Sequence, residues 1–365
     1  MRNATRLVFN ALPLDAQGGG VSTYIRELLA ALADRHPNRP PDDSVDDPSP
    51  RPGVELIAAV RPSGSDQLPS GVDPLIRGES TGVVRAIDGA RGVGPADLVH
   101  GLDVDLPFWG KGRMVCTVHD LAIVDLPETF PRLRAAGERI LMGHALRRAD
   151  AVVAVSAFTA ERVKVRFGRE ASVTPLAPGP GMAPPDSPEA ERVRAAYGLP
   201  ERFVLHVGNI EPRKDIATLA AACRIVAIPL VLTGHSLWGH RAPAGVVQVG
   251  TVPRGDLPGL YGAATVVGYA SRYEGFGLPP IEAMACGAAV VSTPVPSVTE
   301  ATVGGVELFH PGDADGLATT LRRLMEDDEE RQELAQRGRT KVAALSWDGT
   351  AELTESVYRS LGVAI

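Results

Sequence analysis

Residues 265–287 read TVVGYASRYEGFGLPPIEAMACG, and this stretch decides the fold. It opens on a short apolar run, Thr265–Tyr269, of the kind that forms a strand covered on both faces. A loop carrying Gly275 and Gly277 follows, and then a short helix. Pro280 is expected near the first helical position and Gly287 just past the end, since proline suits the first turn and glycine the left-handed residue after the last. Strand, glycine loop and helix are the repeating unit of a doubly wound α/β sheet, where ligands meet the carboxyl ends of the strands.

The unit recurs throughout the chain. Before the midpoint the expected strands are Leu7–Asn10, Val54–Val60, Leu98–His100, Met114–Val118, Ala151–Val155 and Ser172–Leu176. After it they are Phe203–Val207, Leu230–Thr233, Val246–Val249, Thr265–Tyr269, Ala289–Ser292 and Val306–Phe309. The pattern restarts after the Pro/Gly-rich stretch from Ala177 to Pro188, which reads as an interdomain hinge. Two Rossmann-like domains follow from this, residues 1–182 and 183–345, with residues 346–365 forming a C-terminal helix. Leu353, Val357 and Leu361 share one face of that helix and require a surface to dock on. The segment from His36 to Gly53 is dense in Pro and Asp, and a solvated, mobile insertion is expected there.

The 365 residues suffice for two such domains. A formal charge of −7 argues against nucleic acid as the main partner, because that needs a basic footprint. Cys116, Cys223 and Cys286 are too few and too scattered for a disulfide framework or a metal site, and read as reduced thiols. The sequence from Met1 into Leu7–Asn10 shows no apolar signal core, and no run reaches transmembrane length. A cytoplasmic protein is expected, touching a membrane at most from its cytosolic face. The arginines between Arg132 and Arg169 could meet anionic lipids or a phosphorylated acceptor, although a solvated helix face is the plainer reading.

Four places can carry chemistry. Gly18, Gly19 and Gly20 open a helix whose apolar positions are Val21, Tyr24, Ile25, Leu28, Leu29 and Leu32, and its first amides suit an anion. A simple glycine turn is the alternative. His119 and Asp120 follow the Met114–Val118 strand, where a histidine can bond a sugar hydroxyl or serve the turn alone. Gly208 to Asp215 joins a strand to a helix for which Asp215 is a candidate cap. There Arg213 and Lys214 can hold a diphosphate, arginine by a fork and lysine by a point charge. In the 265–287 unit, Glu274 and Glu282 can bond sugar diols while the amides from Gly275 to Leu278 cradle oxygens; Glu282 is expected in the helix's first turn. Asp103-Val104-Asp105 matches a metal-binding DxD only superficially and reads as structural.

These motifs together resemble the retaining GT-B glycosyltransferases of family 4, the glycosyl transferases group 1, with a mannosyltransferase-like pattern. The resemblance runs from Gly18–Leu32 through Thr117-Val118-His119-Asp120, Val155–Phe158, Leu205–Asn209 with Arg213-Lys214, and Gly250–Pro253 to Tyr273–Pro279 with Glu282. It implies an α/β fold of two Rossmann-like doubly wound domains facing each other across a cleft. By the same resemblance Arg213 and Lys214 would hold the donor diphosphate and Glu282 the ribose. Glu274 with Gly275, Phe276, Gly277 and Leu278 would hold the transferred sugar and phosphate. Gly19 and Gly20 would approach the phosphate, Gly208 would line the donor loop, Val252 would contact the base, and His119 would face the sugar. The implied reaction moves a hexosyl group, GDP-mannose being the favoured donor, to a hydroxyl on a glycan, lipid-linked or natural-product acceptor, with no metal and no cofactor. The alternatives are a UDP- or dTDP-sugar enzyme and a nonenzymatic sugar-nucleotide-binding protein. Two departures stand out: Asp215 replaces a common Asn, and Ala270-Ser271-Arg272 replaces a Pro-Ser pair.

Overall fold

The computed structural model describes residues 4–15, 18–37, 53–79, 88–89 and 91–365. Residues 38–52, the bulk of the predicted insertion, lie outside these. The described residues divide into two compact units. Unit 1 comprises residues 1–125, 132–176 and 347–365, and unit 2 comprises 126–131 and 177–346. The division after residue 176 falls six residues before the predicted boundary at 182, at the start of the Pro/Gly-rich stretch. Pro188 is no part of a hinge: it sits in the first turn of the Ser187–Ala196 helix, which Asp186 caps by accepting from the Glu189 amide. Its fixed φ and missing N–H suit that place.

Unit 1 holds strands β1 (Thr5–Asn10), β2 (Val54–Val60), β3 (Asp73–Ile76), β4 (Leu98–Gly101), β5 (Arg113–Val118), β6 (Ala151–Ala154) and β7 (Ser172–Val173). They form one parallel sheet in the order β3-β2-β1-β4-β5-β6-β7. Leu7, Val8, Phe9, Leu98, Val115 and Val153 are wholly buried along the central strands, which explains their unbroken apolar runs. β3 was not expected: Asp73 and Pro74 disguise a strand at the sheet edge, where proline is tolerated. The last predicted strand shrinks to Ser172–Val173.

Unit 2 holds β8 (Val204–Val207), β9 (Leu230–Thr233), β10 (Val247–Gly250), β11 (Val266–Tyr269), β12 (Val290–Ser292) and β13 (Glu307–Leu308). These are parallel in the order β10-β9-β8-β11-β12-β13. Leu219, Leu232, Val266, Val291, Leu317 and Leu321 pack into the core between sheet and helices. In both units the strand order reverses once, between β1 and β4 and between β8 and β11. Loops leaving those paired strand ends diverge to opposite faces and leave a crevice for ligands.

The C-terminal helix, Trp347–Ser360, packs in unit 1 against the Gly20–Arg35 helix. Of the expected docking residues only Val357 is buried. Leu353 is 45% exposed and Leu361 only half-buried, whereas Thr350, Ala351, Thr354, Glu355, Val357 and Tyr358 are buried. Small threonines permit close approach, and two polar side chains fix the register. The Glu355 carboxylate accepts from Arg35, His36 and Arg359, and the Tyr358 hydroxyl is hydrogen-bonded to His100 Nδ1 at 2.6 Å.

Candidate functional site

In unit 2 the two strands flanking the reversal deliver the charged groups. β8 runs into Gly208, whose φ of +148 is easy only for glycine, and then into a short turn at Pro212–Lys214. Asp215 closes the turn at φ +43 and precedes the Ile216–Ile225 helix. Its carboxylate accepts from the Thr218 hydroxyl at 2.8 Å and caps no backbone amide. The expected cap is therefore replaced by a left-handed turn residue, a role that Asp and Asn both fill.

β11 leads into the loop 270–277, which is fastened to the β8 turn. The Arg272 amide donates to the Arg213 carbonyl at 2.7 Å, and Arg213 Nη1 donates to the Tyr273 carbonyl at 2.9 Å. Ser297 Oγ donates to the Glu274 carbonyl at 2.7 Å, and Thr293 Oγ1 to that of Ser271 at 2.5 Å. Gly277 stands at φ +101, and a Cβ there would lie 2.9 Å from Val298 Cγ2.

Four charges meet in this joint. Glu274 accepts from Lys214 Nζ at 2.5 Å and from Arg213 Nη1 at 3.1 Å, while Arg213 Nη2 reaches Glu211 Oε1 at 2.9 Å. All four side chains are at most 16% exposed. Burial pushes the Glu274 carboxyl up, but Lys214 and then Arg213 outweigh it and hold the carboxyl down at about 2. The two expected cations are therefore matched by two carboxylates within the protein. Glu211 was not among the expected site residues; a Glu two residues before an Arg in a tight turn was the available signal. His206 was also passed over. It is wholly buried, its Nδ1–H donates to the Gly268 carbonyl at 3.0 Å, and burial first of all pulls its pKa down to about 4. A Cβ on Gly208 would lie 3.4 Å from His206 Nε2 and 4.0 Å from Lys214 Cε, so this neutral imidazole sits behind the joint.

The helix after the loop is Leu278–Ala285. Leu278 takes the first position and Pro280 the third, because left-handed Gly277 turns the chain into the helix earlier than expected. Glu282 consequently lies in the second turn, not the first. It is 5% exposed and 3.9 Å from Arg254 Nη2, a cation two residues beyond Val252 that sequence reasoning left unassigned. Gly287 ends the helix as expected: it stands at φ +77 and its amide donates to the Met284 carbonyl, while the Ala288 amide donates to that of Ala283. Phe276 and Leu278 are buried and support the loop, and Val252, 8% exposed, follows β10.

The remaining predicted residues belong to unit 1. Gly19 caps the Gly20–Arg35 helix, and a Cβ on it would meet nothing within 4 Å. On Gly18 a Cβ would strike the Ser22 hydroxyl. His119, half-buried after β5, donates from Nε2 to the Leu102 carbonyl at 2.9 Å and stands edge-on to Tyr24 at 4.8 Å. In its neutral form this leaves Nδ1 as an acceptor. Behind it runs a buried chain: Tyr24 OH to Thr117 Oγ1 at 2.8 Å, Thr117 Oγ1 to His100 Nε2 at 2.9 Å, and His100 Nδ1 to Tyr358 OH at 2.6 Å. Burial pulls the His100 pKa down to about 3. Asp103 Oδ1 accepts from the Val104 amide, which makes it part of its own turn. Among the described residues no group of three His, Cys, Asp or Glu side chains is placed to hold a metal ion.

Two parallel-sheet α/β units, each with its strand order reversing once, are the architecture of the GT-B fold. A sucrose-phosphate synthase from Thermosynechococcus elongatus has the same fold, with a TM-score of 0.73 and 23% identity over 99% of this chain and 100% of that one. The family model for glycosyl transferases group 1 matches residues 189–341, and that for glycosyltransferase family 4 matches residues 18–179. The chain is 31% identical over 284 residues to an O-antigen chain mannosyltransferase B of Escherichia coli, covering 72% of this chain and 74% of that protein. It is 30% identical to a D-inositol 3-phosphate glycosyltransferase of Salinispora arenicola, covering 98% of this chain and 91% of that one. The chain belongs to the family 4 glycosyltransferases, enzymes that act on nucleotide sugars.

Proposed function

We propose that this enzyme transfers a hexosyl group from a nucleoside-diphosphate sugar, with GDP-mannose as the first candidate, to an acceptor hydroxyl with retention and without a metal ion. The observation that carries the proposal is the joint of Arg213, Lys214, Glu211 and Glu274 at the β8/β11 reversal. Similarity to an O-antigen mannosyltransferase puts mannose first among donors, and UDP- and dTDP-sugars stand behind it.

A diphosphate entering the joint would take over the bonds that Glu274 now receives from Lys214 and Arg213. The leaving phosphate would then be held by a preorganised arginine fork and an ammonium. Glu274, released, would accept from hydroxyls of the sugar, and Glu282 would accept from the ribose. With Glu274 engaged by the sugar's hydroxyls, the leaving phosphate is the nearest acceptor for the incoming hydroxyl's proton. This favours departure and attack on one face of the sugar. Two cations serve the diphosphate without a metal, and no other cofactor is required.

The test is to incubate the protein with GDP-mannose, UDP-glucose and a dTDP-hexose plus candidate glycan, lipid-linked and small-molecule acceptors, with and without EDTA. The expected result is nucleotide release from one donor, a product with the donor's anomeric configuration by NMR, and insensitivity to EDTA. An inverted product, or activity abolished by chelation, would overturn the mechanism.

A further inference from the structure

The helix Arg132–Arg148 in unit 1 is apolar on both faces. Ala135, Met142, Ala145 and Leu146 are buried beneath it, as a core-facing stripe should be. The opposite face should be charged if it were merely solvated, as the arginine content suggested. Instead Leu133 is 91% exposed and Ile140 70% exposed, seven residues apart and therefore aligned on the outward face. Gly137 lies between them, and His144 continues the row four residues after Ile140.

The row does not stop at the helix end. The His144 ring lies 4.2 Å from that of Phe108, and Phe108 lies 6.2 Å from Trp109. Phe108 is 48% exposed and Trp109 68%. Isolated exposed apolar side chains need no explanation, but a continuous outward ridge marks a contact surface. Cations flank it: Arg132, Arg134 and Arg139 along the helix, Arg147 at its end, and Lys111 just past Trp109, all exposed. Arg148 ties the two elements together by donating to the Gly110 carbonyl at 3.2 Å. On the helix the acid Glu138 is already paired with Arg134.

We propose that this ridge docks the enzyme onto an anionic lipid surface, Leu133, Ile140, Phe108 and Trp109 entering the headgroup boundary and the arginines meeting lipid phosphates. The charge pattern selects this occupant. A second copy of the chain would bring a like-charged rim against this one, whereas anionic headgroups neutralise it. Aromatic and aliphatic side chains bordered by Arg and Lys are the composition that lies in a membrane interface without spanning it. No described helix is long and apolar enough to cross a membrane, and docking needs none. The inference goes beyond the donor chemistry and does not depend on which sugar is transferred.

The experiment is co-sedimentation of the full chain with phosphatidylcholine vesicles, with and without phosphatidylglycerol, at low and high salt. Wild type is expected to bind the anionic vesicles only, more weakly at high salt, with a blue shift of tryptophan emission. Trp109→Phe should retain most of the binding and lose the shift, because Trp109 is one of only three tryptophans. The double variant Leu133→Ser/Ile140→Ser should bind roughly tenfold more weakly or worse, and Arg139→Glu/Arg147→Glu should lose the preference for anionic lipid. These positions are exposed, so thermal melting of every variant should match wild type. Wild type that stays in the supernatant with anionic vesicles, or a double serine variant that binds equally well, would overturn the proposal. So would a dimer in sedimentation velocity that the serine variant dissociates, which would assign the ridge to a second copy.

Discussion

Replacing Glu274 by glutamine keeps the side chain's size and removes the charge that Lys214 and Arg213 surround. The carboxyl is held at about 2 against an ordinary value of 4.5, which corresponds to about 3 kcal/mol favouring the charged, folded state at neutral pH. Solvent screens the pair little, since the Lys214 side chain is 9% exposed and that of Glu274 12%. Removing one partner of so enclosed a pair typically costs about 3 kcal/mol or more. Because the folded-state pKa is depressed, the stabilisation is complete above pH 4.5 and is lost as pH falls toward 2. Thermal melts at neutral pH and in steps through acid should therefore show Glu274→Gln less stable than wild type, with the gap closing as acid protonates the wild-type carboxyl. The variant also leaves the joint one charge more positive, so a nucleoside diphosphate should raise its melting temperature more than it raises that of wild type. Transfer should fall on the order of 100-fold nonetheless, because the sugar loses an acceptor. A variant that melts with wild type across the pH range, or that nucleotide stabilises less than wild type, would refute the reasoning.

Tyr358→Phe removes the hydroxyl bonded to His100 Nδ1 inside a wholly buried chain, and should destabilise unit 1 by about 1–3 kcal/mol, read by urea unfolding. Glu355→Ala strips the partner shared by Arg35, His36 and Arg359, so limited proteolysis should release the Trp347–Ser360 helix faster than in wild type. Gly277→Ala should cost on the order of 1–3 kcal/mol and lower nucleotide affinity, because its φ of +101 and the nearby Val298 leave no room for a Cβ; melting with and without nucleotide reads both.

The strands were legible because parallel strands covered on both faces must be apolar throughout: Val54–Val60 and Leu230–Thr233 were read residue for residue. Gly287 was legible because only a left-handed residue closes that helix end. Other features depend on tertiary context. Asp73–Ile76 is a strand because β2 offers an edge, not because of its own residues. Pro280 and Glu282 were misplaced because Gly277 starts the helix at Leu278, and glycine torsions are invisible in sequence. Leu353 looked like the docking residue by spacing, yet the partner surface favours Glu355 and Tyr358, whose own partners Arg35 and His100 lie hundreds of residues away. The presence of Arg213, Lys214 and Glu274 was legible, but not that the carboxylate already occupies both cations. That Leu133 and Ile140 stand exposed on the outward face of Arg132–Arg148 was not legible, because which side of a helix faces solvent is set by what it packs on.

The central claim is that the β8/β11 joint binds the donor diphosphate. Isothermal titration of GDP, UDP, ADP and dTDP into wild type and Arg213→Ala tests it most directly. The account predicts saturable binding of one nucleotide to wild type, weakened at least about tenfold in the variant as a charged hydrogen-bond donor is lost. Equal binding by both proteins, or no binding of any nucleotide to wild type, would contradict it.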